Sequence, residues 1–231
     1  MTFRDIPDLA LADLDRDGAI REAVDRLERS SRSGFLSAAA GGMAAAMALG
    51  RPTPAAAALT RGDSAILNYA LTLEYLQDAF YTEAERKGAL AGPAARLTRV
   101  VGAVERAHVK ALREVLGRKA VKRPFFDFRG VTEDPPSFVR TAVAFEDLGT
   151  AAYKGQAHRI ESREVLAAAV GIHSVEARHA AWIRYIAGSA PAAEAFDEGT
   201  TKAETLRLVR ATGFVVARPR TTVAKTPSFT G

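Results

Sequence analysis

Glu105-Arg106-Ala107-His108 and Glu176-Ala177-Arg178-His179 each set a carboxylate and an imidazole three residues apart. On an α-helix, side chains at that spacing share a face, so both members of each pair point the same way. Upstream of each pair stands one more glutamate in an apolar run, Glu74 and Glu146. The order is therefore Glu, Glu-x-x-His, Glu, Glu-x-x-His. A carboxylate among Ala, Leu and Val is costly unless it is paired or bound to a cation. Four of them meeting in one core would repel one another. Two divalent cations would cancel four negative charges, and two neutral imidazoles would add nitrogen ligands without altering that sum. Oxygen-rich donors with one imidazole per ion suit Fe(II) or Mn(II) better than a structural zinc. The chain has no cysteine, which removes the thiolate zinc sites, disulfides and iron–sulfur clusters.

Helices must carry these groups. Asp63 is a suitable N-cap, followed by the periodic Ile66, Leu67, Ala70, Leu73 and Leu76. With Gly88 as a stop, the first helix is expected over about Ser64–Lys87. Pro93 fits the first turn of a second helix reaching Leu116. A longer, phenylalanine-rich connection follows, about Arg118–Asp134. Pro135-Pro136 then opens a third helix, expected to end near Ile160, and Ser162 caps a fourth that runs to Ile186. A last amphipathic segment spans about Thr201–Thr212, before Gly213 and a basic tail that contains Arg218, Arg220 and Lys225. Glu74 and Glu146 both fall in apolar, inward-facing stripes. The first stripe includes Leu67, Ala70, Leu71, Gln77, Asp78 and Tyr81; the second includes Ala142, Val143, Gly149, Thr150 and Tyr153.

The spacing repeats. Glu74 to Glu146 and Tyr81 to Tyr153 are each 72 residues, while Glu105 to Glu176 and His108 to His179 are each 71. Two helical hairpins in nearly one register indicate an internal duplication and an all-α bundle with pseudo-twofold symmetry. Short links make the first and second helices, and the third and fourth, antiparallel neighbours; the long link can cross the bundle.

The residue order and the paired Glu-x-x-His motifs resemble the ferritin-like superfamily, most nearly the ferritin-like domain proteins of the bacterial envelope and desiccation-related type. The resemblance covers about Asp63–Ile186. It implies a ferritin-like antiparallel four-helix bundle with a long crossover between the second and third helices. It also implies two metal ions, two Fe or alternatively two Mn, and redox chemistry with dioxygen or peroxide as the oxidant. Glu74 and Glu146 would be terminal ligands, Glu105 and Glu176 bridging ones, and His108 and His179 would each serve one ion. The function expected is Fe(II) oxidation. The alternatives are a manganese-catalase-like removal of peroxide, or a non-enzymatic envelope or stress protein stapled by metal. The long leader and the phenylalanine-rich crossover depart from cage-forming ferritins.

The domains expected are a flexible leader over 1–62, the bundle over 63–187, and a helix with a flexible basic tail over 188–231. Within the leader, Arg32-Ser33-Gly34-Phe35-Leu36 precedes an Ala/Gly run, and 18 uncharged residues separate Arg32 from Arg51. This resembles a twin-arginine export signal with Ser33 in place of the second arginine. The segment 33–50 is alternatively a membrane contact at the lower length limit for spanning, or an ordinary buried helix. The expectation is export or envelope association, with a cytoplasmic protein if the signal does not function. A short helix is expected around Ala19–Arg29. Net charge is +5 without a basic, aromatic-rich stripe, which gives nucleic-acid binding little support. A homo-oligomer is compatible with the sequence.

Other residues carry weaker expectations. Tyr81 and Tyr153, two turns beyond their glutamates, could hydrogen-bond ligands or carry an electron, though core packing is the commoner role. His173 is read as a neighbour of the ligands or a solvated side chain, His158 as a helix cap, and Trp182 as a core anchor. Glu83, Glu85, Glu114, Glu161 and Glu164 are read as solvated. Gln77 and Asp78 correspond to Gly149 and Thr150 in the other half, an asymmetry that could leave one ion more open.

Overall fold

The computed structural model describes residues 59–217. The candidate signal or anchor, the short helix near Ala19–Arg29 and the basic residues of the tail lie outside the described residues. Among the described residues, five α-helices carry the fold: α1 (Arg61–Lys87), α2 (Gly92–Leu116), α3 (Pro135–Ala157), α4 (Arg163–Ile186) and α5 (Lys202–Thr212). Among the described residues, no helix is long and apolar enough to cross a membrane.

Each boundary has a local cause. Thr60 caps α1, its Oγ1 accepting from Asp63 N at 3.0 Å. The helix thus begins before the Ser64 start expected from sequence, because Thr60 takes the capping role assigned there to Asp63. Asp63 is fully buried instead. Its two carboxylate oxygens accept from Glu161 N at 2.9 Å and Ser162 N at 3.0 Å, which pins the α3–α4 link to the start of α1. Gly88 ends α1 in the left-handed conformation, φ 65°. Pro93 sits in the first turn of α2, and Asp134 caps α3 through Ser137 N. α3 ends at Ala157, before the expected Ile160, because the backbone tightens there. Arg159 N bonds Gln156 O and Ile160 N bonds Ala157 O, each three residues back. His158 is the C-cap position, and Ser162 caps α4 by accepting from Val165 N.

α1 packs on α2 and α3 on α4. Side-chain pairs give the remaining directions. Glu74 meets Tyr153 while Tyr81 meets Glu146, so α1 and α3 run antiparallel. Glu105 meets His179 while His108 meets Glu176, so α2 and α4 do as well. α2 and α3 are therefore parallel, and residues 117–134 must travel the length of the bundle to join them. This is an all-α antiparallel four-helix bundle with a long crossover.

The crossover is tied down by a contact that periodicity did not announce. Within it, β1 (Phe125–Phe126) pairs antiparallel with β2 (Val215–Val216), Phe125 opposite Val216. Asp127 N donates to Phe214 O at 2.9 Å and Arg129 Nη2 to Gly213 O at 2.8 Å. The start of the expected tail is thus a strand on the crossover. Ahead of α5, Thr200 N donates to Ala151 O at 2.9 Å, and a Cβ built on Gly155 would lie 2.0 Å from the Thr200 carbonyl oxygen. Glycine is required there by close approach of two backbones.

Two apolar clusters fill the interior. One gathers Phe80, Phe128, Phe138, Phe145, Leu97, Val101 and Phe214; the other gathers Leu67, Leu71, Val109, Leu112, Leu116 and Val165. Phe80 stacks on Phe138 with centroids 5.0 Å apart and meets Phe128 and Phe145 edge-on. Trp182 packs at the margin of the first cluster. In every bundle helix the residues between these clusters include one buried glutamate.

Candidate metal centre

Glu74 of α1, Glu105 of α2, Glu146 of α3 and Glu176 of α4 have no exposed surface, and His108 and His179 are buried beside them. The helical period brings each carboxylate inward with its apolar stripe, and the three-residue step carries each histidine to the same face as its glutamate. All six side chains converge on one place between the two apolar clusters.

They converge as two overlapping groups. Glu74, Glu105, Glu176 and His108 offer ligand atoms within 4.8 Å of one another, as do Glu105, Glu146, Glu176 and His179. Glu105 and Glu176 belong to both. His108 Nδ1 lies 3.3 Å from Glu74 Oε2, 3.4 Å from Glu105 Oε2 and 3.1 Å from Glu176 Oε1. His179 Nδ1 lies 3.0 Å from Glu105 Oε1, 3.5 Å from Glu146 Oε2 and 4.0 Å from Glu176 Oε2. The two imidazole centroids are 6.4 Å apart.

The hydrogen bonds divide each carboxylate into two unlike oxygens. One is satisfied by the protein. Tyr153 Oη donates to Glu74 Oε1 at 2.6 Å, and Tyr81 Oη donates to Glu146 Oε1. Gln77 Nε2 donates to Glu176 Oε2 at 3.3 Å, and His108 Nδ1 meets Glu105 Oε2. The other oxygen is buried without any hydrogen-bond partner in all four cases: Glu74 Oε2, Glu105 Oε1, Glu146 Oε2 and Glu176 Oε1. His179 Nδ1 is likewise unpartnered. Buried polar atoms are nearly always bonded, so five orphans facing one small space require a cause. A single ring proton on His108 cannot serve three carboxylates, whereas a cation has no such directional limit. The donor set therefore fits divalent metal.

Electrostatics agree with the geometry. Burial raises the Glu74 carboxyl to about 7; the His108 charge pulls it back and Glu105 pushes it further up. Burial also raises Glu146, against the pull of the neighbouring His179. Burial alone would lower the histidines, but the carboxylates outweigh it. Glu74, Glu105 and Glu176 hold His108 well above its ordinary value, and Glu105 and Glu146 lift His179 to about 10. Burial and the facing carboxylates push both tyrosines well above the ordinary phenol range, so they remain hydrogen-bond donors. Without metal, imidazolium charge takes the place that cations would fill.

The two tyrosines bond across the bundle. Each donates to the glutamate of the opposite hairpin, a crossing that spacing within one helix could not reveal. Gln77 is a further member of the site, which sequence reasoning noted only as an asymmetry that could leave one ion more open. Its position at the third residue after Glu74 was the available signal, since that spacing keeps it on the same face. His173 is not among the six; it is partly buried and its Nε2 has no partner. Of the glutamates expected in solvent, Glu83 accepts from Thr132 and Glu85 pairs with Arg106, both at the surface margin.

A family model described as a ferritin-like domain matches residues 62–189, more than half of the chain. No curated protein matches it.

Proposed function

The chain belongs to the ferritin-like domain family, and from that premise we infer that it is a dinuclear metal protein that oxidises Fe(II) with dioxygen or peroxide. The observation that carries this reading is the set of four fully buried carboxylates, each with one oxygen held by the protein and one left free toward a common space. Glu74 and His108 would hold one ion, Glu146 and His179 the other, and Glu105 and Glu176 would be shared.

Iron, when bound, supplies one electron per Fe(II) to the oxidant. Everything else belongs to the chain. Four carboxylates balance the charge of two divalent ions in a place that excludes water, which strengthens every electrostatic contact there. Tyr81 and Tyr153 fix the rotation of Glu146 and Glu74, so the free oxygen of each faces the centre. Ligation requires unprotonated Nδ1 on His108 and His179 and an ionised Glu74, so loading releases the protons that those groups hold in the metal-free protein.

The test is direct. Apo-protein loaded anaerobically should take up two Fe(II) per chain, and adding dioxygen or peroxide should then consume oxidant and Fe(II) together, faster than free Fe(II) does. Autoxidation at the free-iron rate despite full occupancy would remove the redox reading. The same oxygen-rich donors suit Mn(II). Oxygen evolution from peroxide by manganese-loaded protein, with no acceleration of Fe(II) oxidation, would replace the iron reading with peroxide removal.

A further inference from the structure

The internal repeat breaks at one position that touches the centre. The 72-residue offset that carries Glu74 onto Glu146 and Tyr81 onto Tyr153 carries Gln77 onto Gly149. Gln77 is buried, and its Nε2 donates to Glu176 Oε2 at 3.3 Å. No side chain at 149 reaches back toward Glu105. A Cβ built on Gly149 would lie 3.3 Å from both Gln77 Oε1 and Glu176 Oε2. That is tighter than ordinary contact, so the amide of Gln77 occupies room that a side chain at 149 would need. Both residues border a small recess in the α1–α3 seam, of about 10 Å³, with Leu73, Leu76, Phe145 and Leu148. Such a volume holds about one water molecule.

The amide acts on one side of the centre. Glu176 Oε1 faces His108 at 3.1 Å, while the oxygen bonded to Gln77, Oε2, is the one turned toward His179. A carboxylate oxygen has two lone pairs, so Oε2 can accept from Gln77 and still ligate. Glu105, the symmetry counterpart of Glu176, has no amide partner. Outer groups that orient ligands typically change metal affinity 10–100-fold.

We propose that Gln77 is a positioning residue that fixes the shared carboxylate of Glu176 and makes the Glu146–His179 half the tighter of two unequal metal half-sites. Resting on the dinuclear reading above, this gives the two ions an order: the Glu146–His179 half fills first and the Glu74–His108 half second.

Calorimetric titration of the full-length apo-protein with Mn(II), without oxidant, tests it. Wild type should bind two ions in two resolved steps. His179→Ala should remove the tighter step and His108→Ala the weaker. Gln77→Leu should weaken the tighter step by about 10-fold or more and leave the other within about twofold. Gln77→Met, which keeps the length of the side chain and removes the amide donor, should weaken the same step alone and provides a second reading should Gln77→Leu fail to fold. Equal weakening of both steps, or of neither, in whichever of these variants folds would overturn the proposal while leaving the dinuclear reading intact. A wild-type chain that binds fewer than two ions would overturn both.

Discussion

Two buried clusters lie side by side in this bundle and are built on opposite principles. Around Phe80, aromatic rings satisfy one another completely: Phe138 lies flat against it, and Phe128 and Phe145 meet it by their edges. Around Glu105, four carboxylates and two imidazoles are equally buried, yet each carboxylate retains an oxygen with no partner. The first cluster is stable as the chain makes it. The second is the one that, on the reading proposed above, metal would complete. Stability and function are thus kept in separate layers of one core, and the difference can be measured layer by layer.

The largest effect should come from the aromatic layer. Phe80→Ala should cost about 3–5 kcal/mol in urea denaturation, and by the same amount with and without metal. A loss confined to the loaded form would mean that the two layers are not independent. Next is the polar layer. Saturating wild type with metal should stabilise it by about 2.7 kcal/mol for each ion bound when free metal is 100 times that site's Kd. Glu105→Gln, which keeps the shape and removes a shared charge, should abolish that gain. The metal-free variant should be as stable as wild type or more so, because carboxylate crowding is relieved. A metal-free variant that melts well below wild type would show that the charge serves packing instead.

The subtlest separation is by pH. Glu74, at about 7, and His179, at about 10, both titrate above their ordinary values of 4.5 and 6.5. The native state therefore binds more protons than the unfolded chain, and stability falls as pH rises. The contribution of Glu74 is full below 4.5 and lost as pH passes about 7; that of His179 is full below 6.5 and lost toward 10. Metal competes with those same protons, so metal affinity should rise across this window. Melting curves from pH 5 to 9, with chelator and with metal, should slope in opposite directions. Parallel slopes would mean that the protons and the metal do not share a site.

The polar layer was far more legible in the sequence than its surroundings. Six residues at fixed spacing, repeated at 72 and 71, convey convergence because a helix turns spacing into direction. The bundle helices were readable for the same reason, with Gly88, Pro93, Pro135 and Ser162 marking ends by local chemistry. What escaped depends on partners distant in the chain. β1 and β2 are two residues each, too short for any period, and exist only because the crossover and the segment after α5 meet. Asp63 was read as the cap of α1, but the amide groups of Glu161 and Ser162, far along the chain, take its carboxylate and leave the cap to Thr60. The role of Gln77 required knowing which helix faces α1 across the centre.

The crossed tyrosines have a consequence for how such a molecule can arise. Since each hydroxyl serves the glutamate of the other hairpin, a hairpin by itself has a donor without its acceptor and an acceptor without its donor. Two identical hairpins docked face to face would satisfy both, as a symmetric dimer does. Joining them through residues 117–134 turns that encounter into an intramolecular one at high effective concentration. It also frees the two copies from having to remain identical, and the glutamine at 77 opposite the glycine at 149 is that freedom in use.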